Sequence, residues 1–114
     1  MKILIVGSRK INDIKIEKYI REDVDLVISG GAAGVDAIAE RYADAKGISK
    51  LIIRPEYEKY GRAAPLKRNE LMVDLADKVL AFWDGRSRGT KYTIEYARKR
   101  GKETETIVID SAGR

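Results

Sequence analysis

The chain has 114 residues, with 23 Lys and Arg against 18 Asp and Glu for a net charge of +5. That length argues for one domain; 44% hydrophobic residues suffice for a core, and 36% charged residues keep the surface wetted. Cysteine and histidine are both absent, which removes disulfides, thiolate chemistry, the commonest metal ligand and the commonest general base near neutral pH, and with them Ser-His-Asp triads and zinc hydrolases.

The chain alternates short apolar runs with stretches of helical periodicity. Ile3 to Val6 reads as a buried strand ending at Gly7. Ile14 to Arg21 reads as a short helix with Ile16, Tyr19 and Ile20 on one face and Asp13 as its N-cap. Leu26 to Ile28 is a second strand, ended by Ser29-Gly30-Gly31; Val35, Ile38, Ala39 and Tyr42 then follow helical spacing up to Gly47. Leu51 to Ile53 is a third strand. An irregular stretch from Arg54 to Ala64 leads into a helix with Pro65 near its first turn. Val79 to Trp83 is a fourth strand, Asp84 to Gly89 its loop, Thr90 to Arg100 a helix, and Thr106 to Ile109 a fifth strand. One domain over 1–110 and a frayed tail over 111–114 are expected.

Strands that are apolar on both faces and separated by helices make a parallel sheet covered on both sides. The expected fold is α/β: a small Rossmann-like three-layer sandwich, its five strands in the order 3-2-1-4-5. Ligands of such folds bind beyond the carboxyl ends of the strands, where the strand order reverses. The loops after the first, second and fourth strands should therefore converge on one crevice.

Those three loops are unusual. Gly7-Ser8-Arg9 combines a tight-turn residue, a hydroxyl and a guanidinium able to fork onto phosphate. Ser29 to Asp36 places Gly30, Gly31 and Gly34 between a strand and a helix, the setting in which backbone N–H groups hold an anion. It is neither the G-x-G-x-x-G fingerprint nor a Walker A loop. Asp36, in that helix's first turn, either complements the dipole or bonds a ribose hydroxyl. Asp84-Gly85-Arg86-Ser87-Arg88-Gly89-Thr90 concentrates donors just before a helix, where a phosphate would meet the dipole, the Ser87 and Thr90 hydroxyls and backbone amides.

Arg68, Leu71, Met72 and Leu75 share one helical stripe, and Asn69, Met72, Val73 and Ala76 the adjacent one. Two polar groups thus begin an apolar face, where a ligand phosphate or ribose, or an ion pair of Arg68 with Asp84 or Asp36, would satisfy them. Tyr57 and Tyr60, interleaved with Lys59 and Arg62, could stack a base or simply cover an apolar edge.

Charge is concentrated. Between Arg86 and Lys102 seven basic residues face one acid, Glu95, a local +6 that leaves −1 for the rest of the chain. An anionic partner fits, nucleotide or nucleic acid; alternatively, the cations of 98–102 sit at a helix C-terminus and suit its dipole. No apolar run approaches the roughly 20 residues of a membrane helix. MKILIVGSRK has five apolar positions after Lys2 with Gly7 counted, too few for a signal-peptide core. A cytoplasmic protein without membrane contact is expected.

Together, the strand followed by GSR, then SGGAAGVDAIAERYA, RNELMV and VLAFWDGRSRGT resemble the SLOG superfamily over residues 1 to about 102. The nearest branch is the small YspA-like proteins, related to the Rossmann-like domain of DNA-processing protein A and to the Lonely Guy phosphoribohydrolases. The resemblance implies a nucleotide or nucleotide-derived ligand held by the glycine-rich loops. Gly89-Thr90 matches the Gly-Thr of the Lonely Guy motif Pro-Gly-Gly-x-Gly-Thr-x-x-Glu, and Arg68-Asn69 its arginine-lysine with Asn for Lys. Thr93 stands where that motif has its glutamate, and Glu95 is two residues on, about 200° round the helix.

Three functions follow as expectations. The first is a nucleotide-binding sensor or carrier with phosphate at Ser87 to Thr90, ribose near Asp36 and added charge from Arg68. The second is an N-glycosidic hydrolase of nucleoside monophosphates with Asp36, Arg68 or Glu95 as catalytic candidates, and the third is single-stranded DNA binding. No cofactor or metal site is evident, although a nucleotide could bring magnesium. Apolar helix faces suit a homodimer.

Overall fold

The structure, a computed structural model, describes residues 1–109; the expected tail over 111–114 lies outside them. β1 (Lys2–Gly7), β2 (Leu26–Ser29), β3 (Ser49–Ile52), β4 (Lys78–Trp83) and β5 (Glu103–Val108) form one parallel sheet in the order β3-β2-β1-β4-β5. β1 and β4 lie at the centre, in a register that sets Ile3 beside Lys78 and Gly7 beside Phe82.

Alternation along the strands divides the apolar side chains between two cores. Ile3, Ile5, Val27, Leu80 and Phe82 face α1 (Val35–Lys46), which contributes Val35, Ile38, Ala39 and Ala43. Leu4, Val6, Ile28, Val79 and Ala81 face the other way. They pack on Met72, Val73 and Ala76 of α3 (Ala64–Leu75, the last at its C-cap) and on Ile94 and Ala97 of α4 (Arg88–Lys99). The layout is the Rossmann-like α/β sandwich, with helices on both faces. Among the described residues no helix is long and apolar enough to cross a membrane.

Helix ends follow local chemistry. Gly47, left-handed at φ 67°, closes α1 through its N–H to Asp44 O, while Ile48 N–H reaches Ala43 O. Pro65 occupies the first turn of α3, where its missing N–H costs nothing. Ser87 caps α4 by accepting from Thr90 N–H at 3.3 Å.

Four expectations need correction. The helix over Ile14–Arg21 is a single 3-10 turn, Ile16–Tyr19, and Asp13 caps nothing. Ile16 is nonetheless buried at 2% exposure, with Tyr19 and Ile20 packed against the same core, so the expected face is kept without the expected length. The stretch 54–64 is not wholly irregular: α2 (Tyr57–Tyr60) and a 3-10 turn, Gly61–Ala63, lie within it. On α3 the stripe of Asn69, Met72, Val73 and Ala76 faces the sheet, while Leu71 and Leu75 remain 47% and 37% exposed.

β5 begins at Glu103, three residues before the expected Thr106, and β3 at Ser49 rather than Leu51. The reason for β5 lies across the ladder. The Lys78 ammonium, almost fully buried, sits 2.7 Å from Glu22, 3.3 Å from Glu105 and 3.6 Å from Glu103, so the strand's acids pair with a cation on β4.

Candidate functional site

A cleft of about 550 Å³ opens over the carboxyl ends of β1 and β4, where the strand order reverses. Gly7, Ser8 and Arg9 line it from the β1 loop, and Asp36 from α1. Arg68 and Asn69 line it from α3, and Asp84, Ser87, Gly89 and Thr90 from the β4 loop and α4. Gly30, Gly31, Gly34, Arg88 and Glu95 are not among the lining residues. Lys10, Arg86 and Thr93 line the cleft and were not singled out as ligand contacts, nor were the apolar Val6, Pro65, Leu66 and Met72. Lys10 and Arg86 were legible as neighbours of loop residues already chosen.

The β4 loop is organised by its own carboxylate. Asp84 Oδ1 accepts from Arg86 N–H and Ser87 N–H, both at 2.8 Å, and these bonds hold its carboxyl below the usual carboxylate range. Ser8 Oγ accepts from Asp84 N–H at 3.2 Å and Trp83 Nε1 donates to Ser87 O at 3.0 Å. Ser87 and Thr90 hydroxyls bond each other at 3.1 Å. Four of the amides of this loop, those of Asp84, Arg86, Ser87 and Thr90, are thus already occupied. The N–H groups of Arg88 and Gly89, on the first turn of α4, have no acceptor among the described residues.

Glycine serves a purpose different from the expected one. A methyl on Gly7 would lie 2.5 Å from Phe82 O and 2.5 Å from Val35 Cγ2. One on Gly30 would lie 2.7 Å from Arg68 Nη1 and 3.0 Å from Asp36 Oδ2. Gly34, at φ 74°, turns the chain against Arg9 O. These glycines let the protein approach itself. Gly89 is different, since nothing lies within 4 Å of a methyl built on it.

Arg68 is not ion-paired with Asp84 or Asp36. Its Nη1 donates to Gly30 O at 2.7 Å and to Ile53 O at 3.2 Å, and its Nε to Asn69 Oδ1 at 2.7 Å. It therefore ties α3 to the ends of β2 and β3. Asp36 is buried, at 7% exposure, and its Oδ2 accepts from Ala32 N–H at 3.1 Å. Burial pushes its carboxyl above the ordinary value, although the Ala32 bond and the charges of Arg68 and Arg9 work the other way. Four cations, Arg9, Lys10, Arg68 and Arg86, line the cleft, and none makes an ion pair among the described residues.

The basic segment splits in two. Arg100 pairs with Asp74 at 3.1 Å and Lys102 Nζ donates to Ala76 O and Asp74 O, closing the end of α3. Arg88, Lys91, Arg98 and Lys99 are exposed on α4 with Glu95 among them, and the last two lie in its final turn. Tyr57 and Tyr60 are also exposed, on α2 beside the cleft's neighbouring small cavity.

No protein-family model matches the chain, and no solved structure matches it. A curated relative does: the Gene 61 protein of Mycobacterium phage D29 is 34% identical over 113 residues, an alignment covering 88% of this chain and 90% of the relative. With that identity over nearly the whole of both, the chain belongs to the family of the phage D29 Gene 61 protein.

Proposed function

We propose that this protein is a SLOG-type module that binds a nucleotide or nucleotide-derived ligand in the cleft above β1 and β4, acting as a sensor or carrier. The observation that carries the reading is the joining, in one cleft, of the first turn of α4 with four cations that lack ion-pair partners. A phosphate there would take the Gly89 N–H group and the Thr90 hydroxyl, with the helix dipole behind them. Asp36 stands on the opposite wall as an acceptor for sugar hydroxyls. Val6, Pro65, Leu66 and Met72 give the cleft the apolar surface a base would cover.

The test is thermal unfolding against nucleoside mono- and diphosphates, dinucleotide cofactors and a short single-stranded oligonucleotide. A ligand at about 100 times its Kd adds roughly 2.7 kcal/mol, a shift on the order of 10 °C for a domain of this size. A shift with a nucleotide that is lost in Gly89→Val supports the reading. A shift with the oligonucleotide alone, vanishing in salt, moves the assignment to DNA binding, and no shift at all refutes it.

One observation favours N-glycosidic hydrolysis as a second reading: Asp36 is a desolvated carboxyl inside the cleft, with a pKa moved toward general acid–base use. Glu95 lies outside the cleft and does not serve that role. Release of free base from a nucleoside monophosphate by the wild type, and not by Asp36→Asn, would establish it; absence of turnover would dismiss it.

A further inference from the structure

Asp36 and Arg68 both approach Gly30 on the side where a Cβ would stand, without pairing with each other. A methyl on Gly30 would come within 3.0 Å of both Asp36 Oδ2 and Arg68 Nη1, yet the two charges make no ion pair. The reason lies in Arg68's other bonds: Nη1 is held by two backbone carbonyls and Nε by Asn69. Its Nη2 makes no hydrogen bond among the described residues, and only one Asp36 oxygen, Oδ2, is hydrogen-bonded, to Ala32 N–H. Both residues line the cleft. A buried carboxylate with spare acceptor capacity and a guanidinium with a spare donor therefore face one space.

The group that suits this pair must donate to Asp36 and accept from Arg68. A hydroxyl does both, an amine only the first, a phosphate only the second. Two vicinal hydroxyls do it best, one on each carboxylate oxygen. The position agrees: the loops after β2 and β4 are two interstrand spacings apart, about 10 Å. A sugar spanning that gap would hold its phosphate at α4 and its hydroxyl edge at Asp36, both of which line the cleft.

We infer that the Asp36–Arg68 pair makes this a ribose-selective site, in which a free 2′-hydroxyl is required and 2′-deoxynucleotides are discriminated against. The inference rests on the nucleotide reading above and adds the substrate class. With the 2′-hydroxyl missing, the Asp36 carboxylate loses a donor and the Arg68 guanidinium an acceptor, so the deoxy form should bind more weakly.

Titration calorimetry on the wild-type protein decides it, with AMP, GMP, CMP and UMP, their 2′-deoxy counterparts, ribose 5-phosphate and 2-deoxyribose 5-phosphate as probes. The expected result is a ribonucleotide bound at least tenfold more tightly than its deoxy partner. In Asp36→Asn that ratio should shrink toward one, with phosphate-dependent binding retained. Equal affinities in the wild type would overturn ribose selectivity while leaving nucleotide binding intact. Binding of none of the probes would overturn the nucleotide reading, and this inference with it. An unchanged ratio in a folded Asp36→Asn protein would also refute the role given to that carboxylate.

Discussion

Gly7→Ala isolates the role of the glycine at the centre of the cleft. The backbone there is not left-handed, so the new methyl adds no conformational strain and its effect is steric. It would meet Phe82 O at 2.5 Å and Val35 Cγ2 at 2.5 Å. Relaxing to an ordinary C···O contact of about 3.3 Å requires β1 and β4 to part locally by about 0.8 Å. The neighbouring bond from Ser8 N–H to Phe82 O, already 3.2 Å long, would then be lost. Overpacking of this kind costs about 1–3 kcal/mol and the hydrogen bond about 1 kcal/mol, giving about 2–4 kcal/mol together. At about 4 °C per kcal/mol for a domain of this size, Tm should fall by roughly 8–16 °C. Gly89→Ala is the control: its methyl meets nothing within 4 Å, so it should raise stability by about 0.4–1 kcal/mol through the unfolded chain. Calorimetric melting of both variants and of Gly7→Ala/Val35→Ala is the assay. The double variant should be sub-additive, because removing Val35's methyls relieves the contact with Cγ2 while the 2.8 Å contact with Val35 Cβ and the contact with Phe82 O remain. A Gly7→Ala protein melting within about 3 °C of wild type would refute the steric reasoning.

Further expectations concern charge and capping. Asp36 has a folded pKa raised by desolvation, so its contribution to stability is fully present below the unfolded value near 3.8 and is lost as pH rises through the folded value. Asp36→Asn should therefore melt higher than wild type at pH 7, with the difference closing at strongly acid pH; a lower Tm at pH 7 would contradict this. Glu22 has a pKa lowered first by its hydrogen bond to Lys78, so its stabilisation holds above its unfolded value and fades as pH falls through the folded one. Glu22→Gln should flatten that part of the acid limb. Lys78→Met leaves Glu103 and Glu105 without their cation. Since these partners are partly solvated, the cost should be about 1–3 kcal/mol, below the figure for a fully buried pair, and should shrink in high salt. Ser87→Ala removes the cap of α4 and should cost about 1 kcal/mol, read as a lower urea midpoint at unchanged m-value.

The central strands are legible because burial on both faces leaves the runs Ile3 to Val6 and Val79 to Phe82 apolar throughout, with Lys78 the charged exception at the start of β4. The start of β5 is not, since Glu103 and Glu105 read as loop until Lys78 is found across the ladder. The spacing of Ile16, Tyr19 and Ile20 reads as a helix, and a single 3-10 turn brings the same three side chains to the core. In the cleft, the clustering of glycine, hydroxyl and guanidinium in the loops after β1 and β4 is visible in sequence and these loops line it together, whereas of the loop after β2 only Ala32 does. Partner choice was not. Nothing along the chain says that Asp84 binds the amides of its own loop, that Arg68 selects carbonyls over carboxylates, or that Gly7 and Gly30 make room for protein atoms.

The Asp84 loop has one more consequence. Its carboxylate, the Ser8 hydroxyl, the Trp83 indole and the Ser87 cap fix five consecutive residues before any ligand arrives. Freezing mobile groups on association commonly costs about 0.5–1.5 kcal/mol for each side chain immobilised, and here that ordering belongs to folding instead. On the nucleotide reading proposed above, an anion reaching α4 would meet donors already aimed at it, so its capture should be limited by diffusion and desolvation rather than by rearrangement of the loop.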